Sequence, residues 1–128
     1  MPLETTDAAN LVSALLAVNF YPVERAYSLM PAFRVRGLLD PATVAAMPHE
    51  GLIAAMKAAG YNRGGFVPIL SYRVCSLMEA IASGSLDGLV ALADKGRKDE
   101  FVAMLSAVPG FGPTTANTAW HLVRASAA

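Results

Sequence analysis

Apolar positions recur along this chain every three or four residues, and stretches that alternate residue by residue are missing. That pattern predicts helices and no strands. Thr6 or Asp7 is placed to cap a first helix running to about Asn19, with Leu11, Leu15 and Val18 on one stripe. Pro22 opens a short second helix through about Leu29, and Pro31 ends it. Asp40 before Pro41 reads as a cap and first turn, starting a short helix that stops before Pro48. The next helix runs to about Ala59, with Leu52, Ile53 and Met56 inward, and Gly60 ends it. "GYNRGG" is a loop, and a long helix follows from about Phe66 to Ala82. Leu86 to Ala93 is a further helical segment, "DKGRKDE" a solvated connector, and Asp99 to Ala107 a helix bringing Phe101, Met104 and Leu105 together. The last helix spans Thr114 to about Ala125. The expected architecture is all-α: a compact multi-helix domain covering residues 1–128, with no internal repeat and no interdomain linker.

Composition narrows the function classes. Hydrophobic residues make up 55% of the 128, ample for one core. No apolar run is long enough to cross a bilayer, so no membrane partner is expected. The start "MPLETTDAAN" is acidic rather than basic, unlike a signal peptide. Ten basic and ten acidic residues cancel, so any nucleic-acid binding must rest on local geometry rather than net charge. Cys75 is the only cysteine, which excludes an internal disulfide and an iron–sulfur cluster ligated by four cysteines of this chain, and points to a reducing cytoplasm. His49 and His121 lie far apart in sequence, and no HExxH, CxxC, GxSxG or Walker pattern occurs.

One stretch stands out. In "VPGFGPTTAN", residues 108–117, two glycines flank a phenylalanine between two helices. Gly110 and Gly112 permit positive φ and close backbone approach. A tight hairpin built on them turns its backbone N–H groups to one side, at the N-terminus of the final helix, where unpaired donors and the helix dipole favour an anion. Phe111 is expected to tuck inward as the anchor. A plain helical corner with two convenient glycines is the alternative.

"VPGFGPTTANTAWHL" resembles the helix-hairpin-helix of the endonuclease III and adenine-glycosylase superfamily of base-excision enzymes. The family pattern is Leu-Pro-Gly-Val/Ile-Gly-x-x-Thr-Ala, matched by Pro109, Gly110, Gly112, Thr115 and Ala116, with Asn117 following as in the family. The similarity extends to "LVSALLAVNFYPVERAYSLM" and to "LIAAMKAAGYNRGGFVPILSYRVCSLMEAI", and so covers about residues 8–125. It implies double-stranded DNA as partner, gripped through a phosphate by Gly110, Gly112, Thr114 and Thr115. It also implies a monovalent cation, Na+ or K+, held by the carbonyls of Ser106, Val108 and Phe111, oxygen ligands that suit a hard ion. Asn19 stands where the family fills the space of an extruded base, and otherwise reads as a helix C-cap. Tyr61, in a loop shared with Arg63, stands at the second position that enters the duplex, and otherwise reads as a surface turn residue.

Two departures limit the implied chemistry. Bifunctional members carry a lysine two residues after the second glycine, where it forms a Schiff base with the sugar. Here that position is Thr114, which cannot form an imine. The family's catalytic aspartate lies about 20 residues past the hairpin, one more helix and its loop. Sixteen residues follow Gly112 here, none acidic. The resemblance therefore implies a DNA-binding protein of base-excision repair without glycosylase or lyase activity by itself. Two alternatives stay open: a monofunctional glycosylase completed by a C-terminal extension or a partner chain, and a helical protein-interaction module.

Overall fold

The computed structural model describes residues 3–127, without the side chain of residue 127. Its elements are α1 (Thr5–Leu16), α2 (Val23–Ser28), α3 (Met30–Val35), α4 (Pro41–Ala46), α5 (His49–Ala58), α6 (Phe66–Ala82), α7 (Leu89–Asp94), α8 (Lys98–Ser106) and α9 (Pro113–Ala127). No strand occurs among the described residues. The all-α expectation holds.

Helix α1 is the hub. Helices α9, α2 and α6 pack around it, so every residue from Ala8 to Leu16 is buried rather than one stripe. Two polar residues inside this run need internal partners. The Ser13 hydroxyl donates to the Ala9 carbonyl at 2.7 Å, and the Asn10 amide donates to Ser126 Oγ at 2.9 Å. Among the described residues nothing pairs with Asn10 Oδ1. On one side of α1, α4 and α5 pack on α6; on the other, α7 and α8 pack with α9. A single apolar cluster joins both sides, from Phe33 and Leu52 through Leu70 and Leu77 to Phe101 and Val123.

Several boundaries differ from expectation, each for a local reason. Glu4, not Thr6 or Asp7, is the N-cap of α1. Asp7 completes a capping box from the third helical position, accepting the Glu4 backbone N–H at 3.1 Å. That helix stops at Leu16, three residues before Asn19, because the backbone leaves the helical region at Ala17 (ψ 55°); Asn19 and Phe20 beyond it take positive φ, 56° and 68°. Pro31 does not end a helix. It sits in the first turn of α3, where its missing N–H is no loss. The segment expected from Leu86 becomes helical only at Leu89. Asp40 caps α4 as expected, accepting the N–H and the hydroxyl of Thr43 at 3.0 and 2.6 Å.

Candidate nucleic-acid interface

Helices α8 and α9 are joined by residues 107–112. Phe101 of α8 meets Trp120 of α9 edge to face, with ring centroids 5.3 Å apart, which fixes the two helices against each other. Val108 and Phe111 turn inward and are buried, as expected for Phe111. A backbone bond from the Phe111 N–H to the Val108 carbonyl, 3.1 Å, tightens the turn between them.

The two glycines do different work. Gly110 has φ +97°, and a β-carbon there would lie 2.9 Å from Cγ and Cδ of Arg73. It is a glycine for both conformational and packing reasons. Gly112 does not have positive φ, and a β-carbon there would meet nothing within 4 Å. The expectation that both glycines serve positive φ is therefore corrected: Gly112 leaves an open approach to the backbone. Its carbonyl accepts the Ala116 N–H at 2.9 Å, which makes it the N-cap of α9.

Among the described residues, no protein acceptor takes the N–H groups of Gly110, Gly112, Thr114 or Thr115. Gly112 and Thr114 are exposed, and Gly110 and Thr115 half-buried. Gly112, Thr114 and Thr115 stand at the positive end of a 15-residue helix, with Gly110 just before it, where unpaired N–H groups suit an anion. Of the three carbonyls assigned to a cation, those of Ser106 and Phe111 take no N–H among the described residues, while that of Val108 already takes one.

The second part of the surface forms where the end of α1 meets the start of α6, and here three expectations are corrected. Tyr61 is neither a surface turn residue nor free to enter a duplex. Its side chain is fully buried, and its hydroxyl donates to the Leu16 carbonyl at 3.1 Å. Burial pushes the phenol above its usual range, with nearby Arg63 opposing in part. Asn19 caps no helix; it sits exposed at a turn. Arg63, assigned to DNA, is committed internally: its two terminal nitrogens donate to the carbonyls of Val18 and Asn19 at 2.7 and 2.8 Å. Its guanidinium also lies 5.0 Å from the Tyr21 ring centroid and 4.8 Å from that of Phe66.

The residue that sequence reasoning missed is Phe20. It is fully exposed and lies beside Asn19 in the left-handed region. An aromatic in a loop of mixed residues carries no periodicity, so only the folded backbone reveals it. The sequence also gave no sign of a contact between His49 and Ser71, 22 residues apart. His49 Nε2 lies 2.6 Å from Ser71 Oγ, with the imidazole stacked on Tyr72 at 3.8 Å. The Ser71 hydroxyl is buried and donates to the Pro68 carbonyl at 2.7 Å, so it accepts from the imidazole. A serine whose proton points away from the histidine is not an activated nucleophile.

No group of three or more His, Cys, Asp or Glu side chains positioned for a metal occurs among the described residues, and no helix there is long and apolar enough to cross a membrane. In comparison with known proteins, the chain matches no family model, no curated protein and no solved structure.

Proposed function

We propose that this chain binds duplex DNA as a member of the helix-hairpin-helix base-excision superfamily, gripping a backbone phosphate with the turn between α8 and α9 and carrying out neither base release nor strand cleavage by itself. The observation that carries this reading is the set of four unpaired N–H groups, of Gly110, Gly112, Thr114 and Thr115, together with the open space at Gly112. The match of "VPGFGPTTAN" to the family pattern adds the ligand class. Arg73, packed against Gly110, supplies a cation beside the turn. A sodium or potassium ion on the uncommitted carbonyls of Ser106 and Phe111, completed by Val108, fits the same grip. Thr114 cannot form a Schiff base, so lyase chemistry has no nucleophile at the family position. A reducing cytoplasm suits the single cysteine and a repair role.

Because the donors are backbone groups, the test adds a side chain rather than removing one. Gly112→Asp places a carboxylate at the N-cap, a position that favours aspartate, while opposing a phosphate on the same amides. Gly112→Asn has nearly the same size and no charge. The Asp variant is expected to fold at least as stably as the parent and to lose about tenfold or more in affinity for duplex DNA, about 1.4 kcal/mol. The Asn variant loses less. A folded Gly112→Asp protein that binds duplex as tightly as the parent, with the same salt dependence, sinks the reading.

A further inference from the structure

Asn10 is a polar residue in a place that suits an apolar one. It sits in α1 between Ala9 and Leu11, with no exposed surface, inside the run buried from Ala8 to Leu16. Ser13, the other polar residue of that run, settles its hydroxyl on a carbonyl of its own helix. Asn10 is satisfied only in part. Its Nδ2 donates to Ser126 Oγ at 2.9 Å, 116 positions away, and among the described residues its Oδ1 accepts nothing. A buried acceptor without a donor destabilises the fold, and leucine at position 10 would avoid that cost.

The unpaired amide borders a cleft. Asn10 of α1, Val23, Glu24 and Tyr27 of α2, and Leu122 and Ser126 of α9 line a cavity of about 530 Å³, within the roughly 300–1,000 Å³ of small-molecule sites. Asn10 and Ser126, bonded to each other, both line it, so the amide head stands on the cleft side of α1. Val23, Leu122 and Tyr27, the last 45% exposed, supply apolar area. The polar groups are the Asn10 amide, the Ser126 hydroxyl and the Glu24 carboxylate, and among the described residues no lysine, arginine or histidine lines the cleft. Neighbouring cations are engaged elsewhere: Arg25 lies 5.4 Å from the Tyr21 ring centroid, and Arg124 donates to the Ala93 carbonyl at 2.6 Å. A second cleft of about 530 Å³ shares Tyr27 and runs past Pro31 and Arg34, but no buried polar side chain in its lining is left unpaired.

An unpaired acceptor, a carboxylate and an aromatic ring suit a ligand that brings N–H donors, positive charge and a flat apolar body. Hydrogen bonds from a cation to a carboxylate are the strong ones, and an aromatic face attracts the same charge. We infer that the cleft between α1, α2 and the end of α9 binds a small organic cation of the aryl-amidinium or aryl-guanidinium class, with N–H groups for Asn10 Oδ1, charge for Glu24 and a flat body against Tyr27 and Leu122. The terminal torsion of asparagine is broad, so a small turn of the amide presents Oδ1 to the cleft. Ser126, exposed on the last turn of α9, follows it. The site stands apart from the turn between α8 and α9: positions 113 and 126 of α9 are separated by about 20 Å at 1.5 Å per residue.

The test titrates benzamidinium into the 15N-labelled full chain, with the neutral benzamide, of the same shape, as control. The parent gives saturable amide shifts in α1, α2 and the second half of α9. Benzamide binds about tenfold or more weakly, the scale of a lost charge-assisted hydrogen bond. Glu24→Gln, at an exposed position, loses about tenfold for benzamidinium and little for benzamide. Asn10→Leu loses about as much for benzamidinium, yet unfolds at a higher denaturant concentration than the parent, because no buried acceptor is left unpaired. Tyr27→Ala, on the surface and independent of core packing, weakens both probes. A parent without saturable shifts from benzamidinium overturns the inference, as does one that binds benzamide equally well. So does an affinity for benzamidinium that neither Glu24→Gln nor Tyr27→Ala reduces, or an Asn10→Leu protein that folds and binds benzamidinium as tightly as the parent. Gly112→Asp leaves benzamidinium affinity unchanged, so this inference and the DNA-binding reading stand or fall separately.

Discussion

The side chain of Arg73 occupies the space that a β-carbon on Gly110 would need, with Cγ and Cδ each 2.9 Å from that point. The contact ties the long helix α6 to the turn between α8 and α9, across 37 positions of sequence. It makes the turn part of the folded core rather than a free loop.

Gly110→Ala is therefore expected to destabilise the protein by about 1–3 kcal/mol, the range for a non-glycine residue held in a left-handed conformation. Two effects contribute, φ and crowding. In a double-mutant cycle, Arg73→Ala removes the two nearest atoms and should recover the larger part of the crowding, its β-carbon remaining 3.1 Å away, and leave the part due to φ. Denaturant unfolding of the four proteins measures both. Full additivity would show that Arg73 does not confine this glycine.

Tyr61 offers a pH-dependent counterpart. At neutral pH, Tyr61→Phe leaves the Leu16 carbonyl without its donor, an expected loss of about 1 kcal/mol. Burial raises the phenol's pKa in the folded protein above the ordinary value of 10.0. The unfolded chain therefore ionises first as pH rises. The stability that Tyr61 contributes is complete below pH 10.0 and is lost as pH climbs through the raised folded value. The gap between parent and variant should narrow over that alkaline window. A gap that stays constant through it would mean that the phenol titrates alike in both states.

The chemistry assigned to this chain gives a third outcome. Incubated with abasic duplex and borohydride, the parent should form no covalent adduct, because on the proposed reading Thr114 holds the position where a lysine would attack the sugar. Thr114→Lys tests the geometry directly: position 114 is exposed in the first turn of α9, and an adduct formed by this variant alone would place it beside the deoxyribose. A parent that traps as readily as Thr114→Lys would show that another amine reaches the sugar.

Much of this fold could be read from neighbouring residues. The all-helical class follows from three- and four-residue apolar spacing and from the absence of alternation. Asp40 with Thr43 and Gly60 after Ala59 mark their helix ends through contacts or conformations that span only a few positions. Phe111 between two glycines was legible as an inward anchor for the same reason. What a few residues cannot specify is which side of a loop meets the rest of the chain. Tyr61 and Arg63 lie in a glycine-rich loop that reads as surface. Their partners, Leu16, Val18 and Asn19, are 44 to 45 positions away and become available only when α6 packs on α1. That packing buries the aromatic that looked ready to enter DNA and turns the arginine inward to cap carbonyls. It leaves Phe20, which has no pattern to mark it, as the ring in solvent. Local sequence determined where helices form and how they end, because those energies belong to adjacent backbone groups. Tertiary structure decided which side chains remain outside, because burial depends on surfaces brought together from distant parts of the chain.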